Sequence, residues 1–74
     1  MIINKVKGEV YARYDNIASL SKVLGWSRQK LSLIVNGKAE PTLSDIQAMA
    51  SAMCMSAEEL ASFFLDLASQ KVDE

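Results

Sequence analysis

Apolar residues recur at helical spacing in five stretches of the chain, each bounded by residues that favour helix ends. Val6, Val10 and Tyr14 stand four residues apart in the first stretch, and Leu20 and Leu24 repeat that spacing in the second. Such spacing places the side chains on one face of a helix. The pattern therefore predicts an all-α fold, a compact bundle of five short helices. The predicted helices cover about residues 3–14, 17–24, 27–36, 43–53 and 57–69.

Residues 17–36 carry the clearest functional signal. Gly25 interrupts the apolar pattern and is a natural helix stop, because glycine adopts a positive φ without a steric penalty. Beyond it, Leu31 and Ile34 give the next helix a buried side, while Arg28 to Lys30 place long polar side chains on its first turn. A first turn whose donors are free of packing can enter the major groove of DNA.

These two predicted helices resemble the helix-turn-helix of the phage-repressor, Cro and XRE-type regulators, the lambda-repressor-like DNA-binding domains. The matching residues are Leu20, Ser21, Leu24, Gly25, Trp26, Leu31, Ile34, the Asn36-Gly37-Lys38 loop with Pro41, and the run from Asp45 to Leu60. The resemblance covers roughly residues 5–64, and we expect residues 1–74 to form a single helix-turn-helix domain. It implies a sequence-specific transcriptional regulator that binds duplex DNA, a phage or prophage protein of the Cro or repressor type.

The resemblance also implies roles for individual side chains. The predicted base contacts are Arg28, Gln29, Lys30 and Ser32, since arginine matches guanine O6/N7 and glutamine matches adenine N6/N7. The predicted phosphate contacts are Ser27, Asn36, Lys38 and Lys22, although a solvated surface role suits Lys22 equally well.

Four residues leave questions that the sequence does not decide. Ile17 stands where many relatives carry a phosphate-binding glutamine, so backbone N–H groups would have to replace that contact. Leu33 either touches a thymine methyl or packs against the following loop. Trp26 is expected in the core rather than on DNA. Cys54 stands where relatives often end a helix with glycine, and we expect the fourth helix to end differently because cysteine is strained at positive φ.

Charge is distributed unevenly along a chain whose formal net charge is only −1. Residues 1–38 hold seven of the eight Lys and Arg against two acids, a net charge of +5. Residues 39–74 hold one Lys against seven acids, a net charge of −6. Because salt screens charges beyond about 8–10 Å, a phosphate responds to the local field. The basic half contains the candidate motif, which favours DNA as its partner over a chance division of solvated charges.

The fifth predicted helix has a wide apolar surface. Its apolar residues span about 200° of the helix circumference, twice the stripe that a surface helix needs for its own core. A second copy of the chain is the simplest cover, so we expect a homodimer through this helix. The predicted interface residues are Phe63, Phe64, Leu65 and Leu67.

The sequence offers little for catalysis or ligand binding. There is no histidine, the single cysteine Cys54 forms neither a zinc site nor a Cys–His pair, and three scattered glycines form no phosphate-binding loop. We therefore expect no enzyme activity, catalytic residue, metal, cofactor or small-molecule ligand. The lone cysteine, with no long apolar run or leader, indicates a cytoplasmic protein without a membrane partner.

Two other classes of function remain open. One is a protein-binding module on the same fold, an antitoxin or an anti-repressor, which the acidic second half and the wide apolar face of the last helix favour. The other is a scaffold without a specific ligand, favoured only by the low pI of about 5.3.

Overall fold

A computed structural model of the chain describes residues 3–71, with the backbone alone for Lys71. Five α-helices follow one another: α1 at Lys5–Arg13, α2 at Ile17–Leu24, α3 at Arg28–Val35, α4 at Leu43–Ala52 and α5 at Ala57–Lys71. No strand occurs in the part of the chain so described. The predicted all-α bundle of five helices is confirmed, although α1 begins two residues later than expected and α5 ends two residues later.

The start of α1 is fixed by Asn4, whose side chain also holds this helix to α3. Asn4 Oδ1 accepts a hydrogen bond of 2.9 Å from the backbone N–H of Lys7, which caps the helix. Asn4 Nδ2 donates to the carbonyl oxygen of Val35 at 2.8 Å. One side chain therefore starts the first helix and satisfies a carbonyl at the end of the third.

The turn between α2 and α3 is closed by a left-handed glycine. Gly25 has φ 74°, and the N–H of Trp26 donates to the carbonyl of Ser21 at 3.0 Å. These are the features of a Schellman motif, which satisfies the last carbonyls of a helix. The Ser27 hydroxyl then accepts the N–H of Lys30 at 3.1 Å and caps α3. Two helices thus meet within three residues.

The hydrophobic core lies where all five helices meet. Its buried residues are Val6, Val10, Leu20, Leu31, Ile34, Val35, Met49, Ala50, Met53, Leu60 and Phe64. Trp26 is half-buried and packs against this core, which confirms the expectation of a structural tryptophan. No helix within residues 3–71 is long and apolar enough to cross a lipid bilayer.

The outer surface of α5 is less apolar than its sequence predicts. Phe64 is only 9% exposed and Leu67 only 3%, because both side chains pack within the chain itself. The assignment of Leu67 to a dimer interface is therefore corrected, whereas Phe64 still borders an outer groove beside Leu65. Phe63 is half-buried, with the Lys5 ammonium 5.9 Å from its ring centroid. Leu65 remains open, with 71% of its surface exposed.

The end of α4 departs from expectation in its backbone. Cys54 has φ 57°, and the N–H of Met55 donates to the carbonyl of Ala50 at 3.0 Å. This is the same left-handed ending as at Gly25, so the prediction of a different ending is wrong. The closing hydrogen bonds hold a cysteine in a conformation that side chains disfavour by about 1–2 kcal/mol.

We predict that Cys54→Gly stabilises the fold. Glycine removes the strain at positive φ, and its greater freedom in the unfolded chain offsets part of that gain, leaving about 0.5–1 kcal/mol. Thermal unfolding should show a midpoint higher by a few degrees. Cys54→Ala is the matched control, since it removes the thiol and retains the Cβ. If the unfolding midpoint rose equally for both variants, the effect would be due to loss of the thiol, which would contradict the explanation by backbone strain.

Candidate nucleic-acid interface

The third helix presents one buried side and one open side. Leu31 and Val35 are fully buried and Ile34 is 3% exposed, so these residues fix how α3 is rotated. Arg28 and Gln29, on its first turn, are exposed. Because a helix turns once in 3.6 residues, Ser32 and Leu33 lie one turn further along the same open side. The burial of one side therefore determines which side chains face outwards.

This open side borders a hollow that the start of α2 completes. The hollow has a volume of about 440 Å³ and is lined by Ile17, Arg28, Gln29, Ser32 and Leu33. Ile17 reaches it because Asn16 caps α2, with Asn16 Oδ1 accepting the N–H of Ser19 at 2.9 Å. Three of the four predicted base-contacting residues therefore share one surface.

Lys30, the fourth, faces elsewhere. It lies about 200° around α3 from Arg28, on the opposite side of the helix. Its ammonium stands 4.3 Å from the centroid of the Trp26 ring and 3.4 Å from Asp45 Oδ1. The prediction that Lys30 shares the base-contacting surface is corrected: its side chain connects α3 to the start of α4. The angle between Arg28 and Lys30 around the helix is known from the sequence alone and already indicates that the two side chains point in different directions.

Asp45 receives Lys30 while capping its own helix. Its Oδ2 accepts the N–H of Thr42 at 3.1 Å, and its N–H donates to Thr42 Oγ1 at 3.1 Å, so a capping box is present. The Thr42 N–H, and after it the Lys30 ammonium, lower the pKa of the Asp45 carboxyl, against an opposing effect of burial. A lowered folded-state pKa favours folding above the unfolded value near 3.9, and this contribution is lost as pH falls through the folded value.

The residues predicted to contact phosphates differ in whether their side chains already form hydrogen bonds within the protein. Lys38 and Lys22 are exposed, on the loop after α3 and near the end of α2. Ser27 is exposed, but its hydroxyl oxygen accepts the capping hydrogen bond from Lys30. Asn36 Nδ2 donates to the carbonyl and the hydroxyl of Ser32, at 2.9 and 3.3 Å. Asn36 therefore closes α3, a structural task that its sequence position does not reveal.

A further basic residue joins this group through the tertiary fold. Lys7 Nζ donates to Asn36 Oδ1 at 3.4 Å, and the Lys7 side chain is exposed. Asn4 makes this approach possible, because it fastens the start of α1 to the end of α3. Lys7 and Lys38 thus flank the same end of α3. Sequence inspection does not find Lys7, since the contact joins residues 29 positions apart.

Comparison with known proteins identifies the class. Residues 16–63 match the model of a protein family described as helix-turn-helix domain. The match covers more than half of the chain, so the protein belongs to the helix-turn-helix domain family, and this indicates a DNA-binding regulator. The matched residues cover α2, α3, α4 and the first part of α5, and so include the two helices that build the hollow. Neither the curated proteins nor the solved structures gave a match.

The described residues contain no group of three or more histidine, cysteine, aspartate and glutamate side chains placed to hold a metal ion. The side chains around the hollow are those of an arginine, a glutamine, a serine and two apolar residues. Arginine, glutamine and serine side chains can form hydrogen bonds with base edges and with phosphates.

Proposed function

We propose that the chain is a sequence-specific transcriptional regulator that binds duplex DNA, of the phage Cro or repressor type. The observation that carries this proposal is the outward position of Arg28, Gln29 and Ser32 on a helix whose other side is buried. In this proposal α3 lies in the major groove. Arg28 pairs with a guanine, Gln29 with an adenine, and Ser32 donates to or accepts from a neighbouring base.

Basic side chains at the margins of α3 supply the non-specific part of the affinity. Lys38 and Lys7 meet the phosphates near its carboxyl end, and Lys22 and the hydroxyl of Ser27 meet those near its amino end. Contacts of this kind fix the register of the protein on DNA without reading sequence. The proposed location is the cytoplasm, and the proposed role is regulation without catalysis.

We further propose that the chain binds its operator as a homodimer. An apolar groove of about 380 Å³ lies between the start of α4 and the outer side of α5. Its lining includes Leu43, which is 79% exposed, and Leu65, which is 71% exposed. In a two-fold dimer both copies of each leucine are buried, and each buried leucine contributes about 1.5–3 kcal/mol. The proposed interface therefore keeps Leu65 and gains Leu43, with the largely buried Phe64 at the base of the groove, and it omits the buried Leu67.

The first test compares substitutions on selected and random DNA. The wild-type chain is titrated with a duplex selected from a random pool and with an unselected duplex. Arg28→Ala and Gln29→Ala should each cost about 1–3 kcal/mol per half-site on the selected duplex and much less on the other. Lys38→Ala should weaken both duplexes alike and reduce the salt dependence. For a dimer that neutralises roughly six to eight phosphates, the log–log salt slope should be about −5 to −7.

Gln47→Ala supplies the matched control for Gln29→Ala. Gln47 is an exposed glutamine of α4 that does not line the hollow, so its loss should leave both affinities unchanged. Equal losses on both duplexes for Arg28→Ala, Gln29→Ala and Lys38→Ala would overturn the assigned roles. Absence of any DNA binding at low salt would overturn the function itself.

The dimer is tested by sedimentation at micromolar concentration. The wild-type chain should sediment as a dimer, and Leu65→Glu should give a folded monomer with much weaker binding to the selected duplex, since the charge enters the groove. Tyr11→Glu, a change at an exposed aromatic of α1, controls for added charge and should retain the dimer. A wild-type chain that remains monomeric in solution and on DNA contradicts the homodimer.

One observation favours a second candidate function. The residues that line the apolar groove all belong to the half of the chain with a net charge of −6. A chain that binds no DNA and is monomeric would therefore fit a protein-binding module, an antitoxin or anti-repressor, whose partner occupies the groove. The DNA titration and the sedimentation experiment together distinguish this candidate from the first.

A further inference from the structure

Two apolar side chains stand among the polar groups of the hollow. Leu33 is 38% exposed and lines it together with Ile17, Arg28, Gln29 and Ser32. Ile17 packs partly against the core, so it also has support beneath it. Apolar surface beside an arginine and a glutamine is unusual for a purely electrostatic contact with phosphate.

The position of Leu33 is fixed by its own backbone. Its carbonyl accepts the N–H of Lys38 at 2.8 Å and of Ala39 at 3.1 Å, which locks the end of α3. The side chain lies in the hollow beside Gln29 and Ser32 rather than in the groove that Gly37 and Ala39 line on the other side of the loop. Of the two roles that the sequence left open for Leu33, packing on the loop is thus the less favoured.

The major groove of DNA offers one apolar group that matches this surface. Thymine carries a methyl group at C5, whereas the other bases present only hydrogen-bond donors and acceptors and ring edges there. We propose that Leu33 and Ile17 form an apolar contact for the C5 methyl of a thymine, next to the bases that Arg28 and Gln29 read. This inference rests on the proposed function and adds a specificity determinant to it.

The contact also gives a role to the apolar residue at the start of α2. The side chain of Ile17 cannot donate a hydrogen bond to a phosphate, but it extends the apolar surface that Leu33 provides. Specificity then has two chemically different parts: polar pairing at the first turn of α3 and methyl contact at its second turn. Without this contact, the protein would not respond to the methyl group of the neighbouring base, because Arg28 and Gln29 only form hydrogen bonds with the bases that they read.

The test removes the methyl group and nothing else. A duplex is selected from a random pool with the wild-type chain, and each thymine is then replaced singly by deoxyuridine, which retains the pairing. We expect one thymine in each half-site to be sensitive. Replacing it in a single half-site should weaken wild-type binding about three- to fourfold, which corresponds to the free energy of burying one methyl group. Replacement in both half-sites should weaken it about tenfold or more.

A double-mutant cycle assigns the effect to the side chain. Leu33→Ala should bind the thymine duplex more weakly and lose the difference between thymine and deoxyuridine, while retaining its helix content because Leu33 is not in the core. Ile17→Ala should reduce the difference. Val23→Ala removes an exposed apolar side chain of α2 outside the hollow, and it should leave the difference unchanged.

The outcomes separate this inference from the function beneath it. Selection of a defined duplex with no thymine sensitive to the replacement would overturn the methyl contact and leave the DNA-binding proposal in place. So would a sensitive thymine whose effect persists unchanged in both Leu33→Ala and Ile17→Ala. Failure to select or bind any duplex would overturn both proposals.

Discussion

The burial of one side of α3 is the constraint on which the proposed interface depends. This helix has only eight residues, and three of them, Leu31, Ile34 and Val35, are almost completely enclosed. Rotating the helix by one residue would expose these side chains and bury Arg28 or Gln29 without partners, and both changes are costly. The packing of the core therefore fixes the rotation of α3 about its axis, and with it the direction in which the polar side chains point.

Other contacts hold the two ends of this helix. At its start, Ser27 caps the backbone and Lys30 extends across the Trp26 ring to Asp45 on α4. At its end, Asn4 reaches the carbonyl of Val35 from the start of α1. These contacts join α3 to its neighbours in sequence and to the first helix. A short helix that would be marginal alone is thereby positioned for recognition.

Local signals in the sequence were sufficient to predict the helices and much of the candidate DNA-binding surface. Gly25 and Ser27 mark the turn through backbone chemistry that needs no tertiary context, and the predicted bounds of α2 agree with the structure. The apolar spacing of α3 predicts that Arg28 and Gln29 are free of packing, and the family resemblance adds Ser32 to the predicted base contacts. The first-turn position of Lys30 suggested a base contact, but the angular position of Lys30 and the carboxylate on α4 direct it away from that surface.

The remaining differences arise from contacts between distant segments. Lys7 joins the basic group only because the fold brings α1 beside Asn36. Phe64 and Leu67 look available when α5 is considered alone, yet the other helices enclose them. Cys54 adopts a positive φ because closing hydrogen bonds outweigh the preference of the residue. Helix spacing alone contains none of this information.

The central claim is that DNA meets the open side of α3, and backbone amide resonances in a titration with a selected duplex test it most directly. We expect shifts for Ala18, for Arg28 to Leu33 and for Lys38, with those of Ala57 to Leu60 at the acidic start of α5 unchanged. Shifts centred on Ala57 to Leu60 with α3 unaffected would contradict the account.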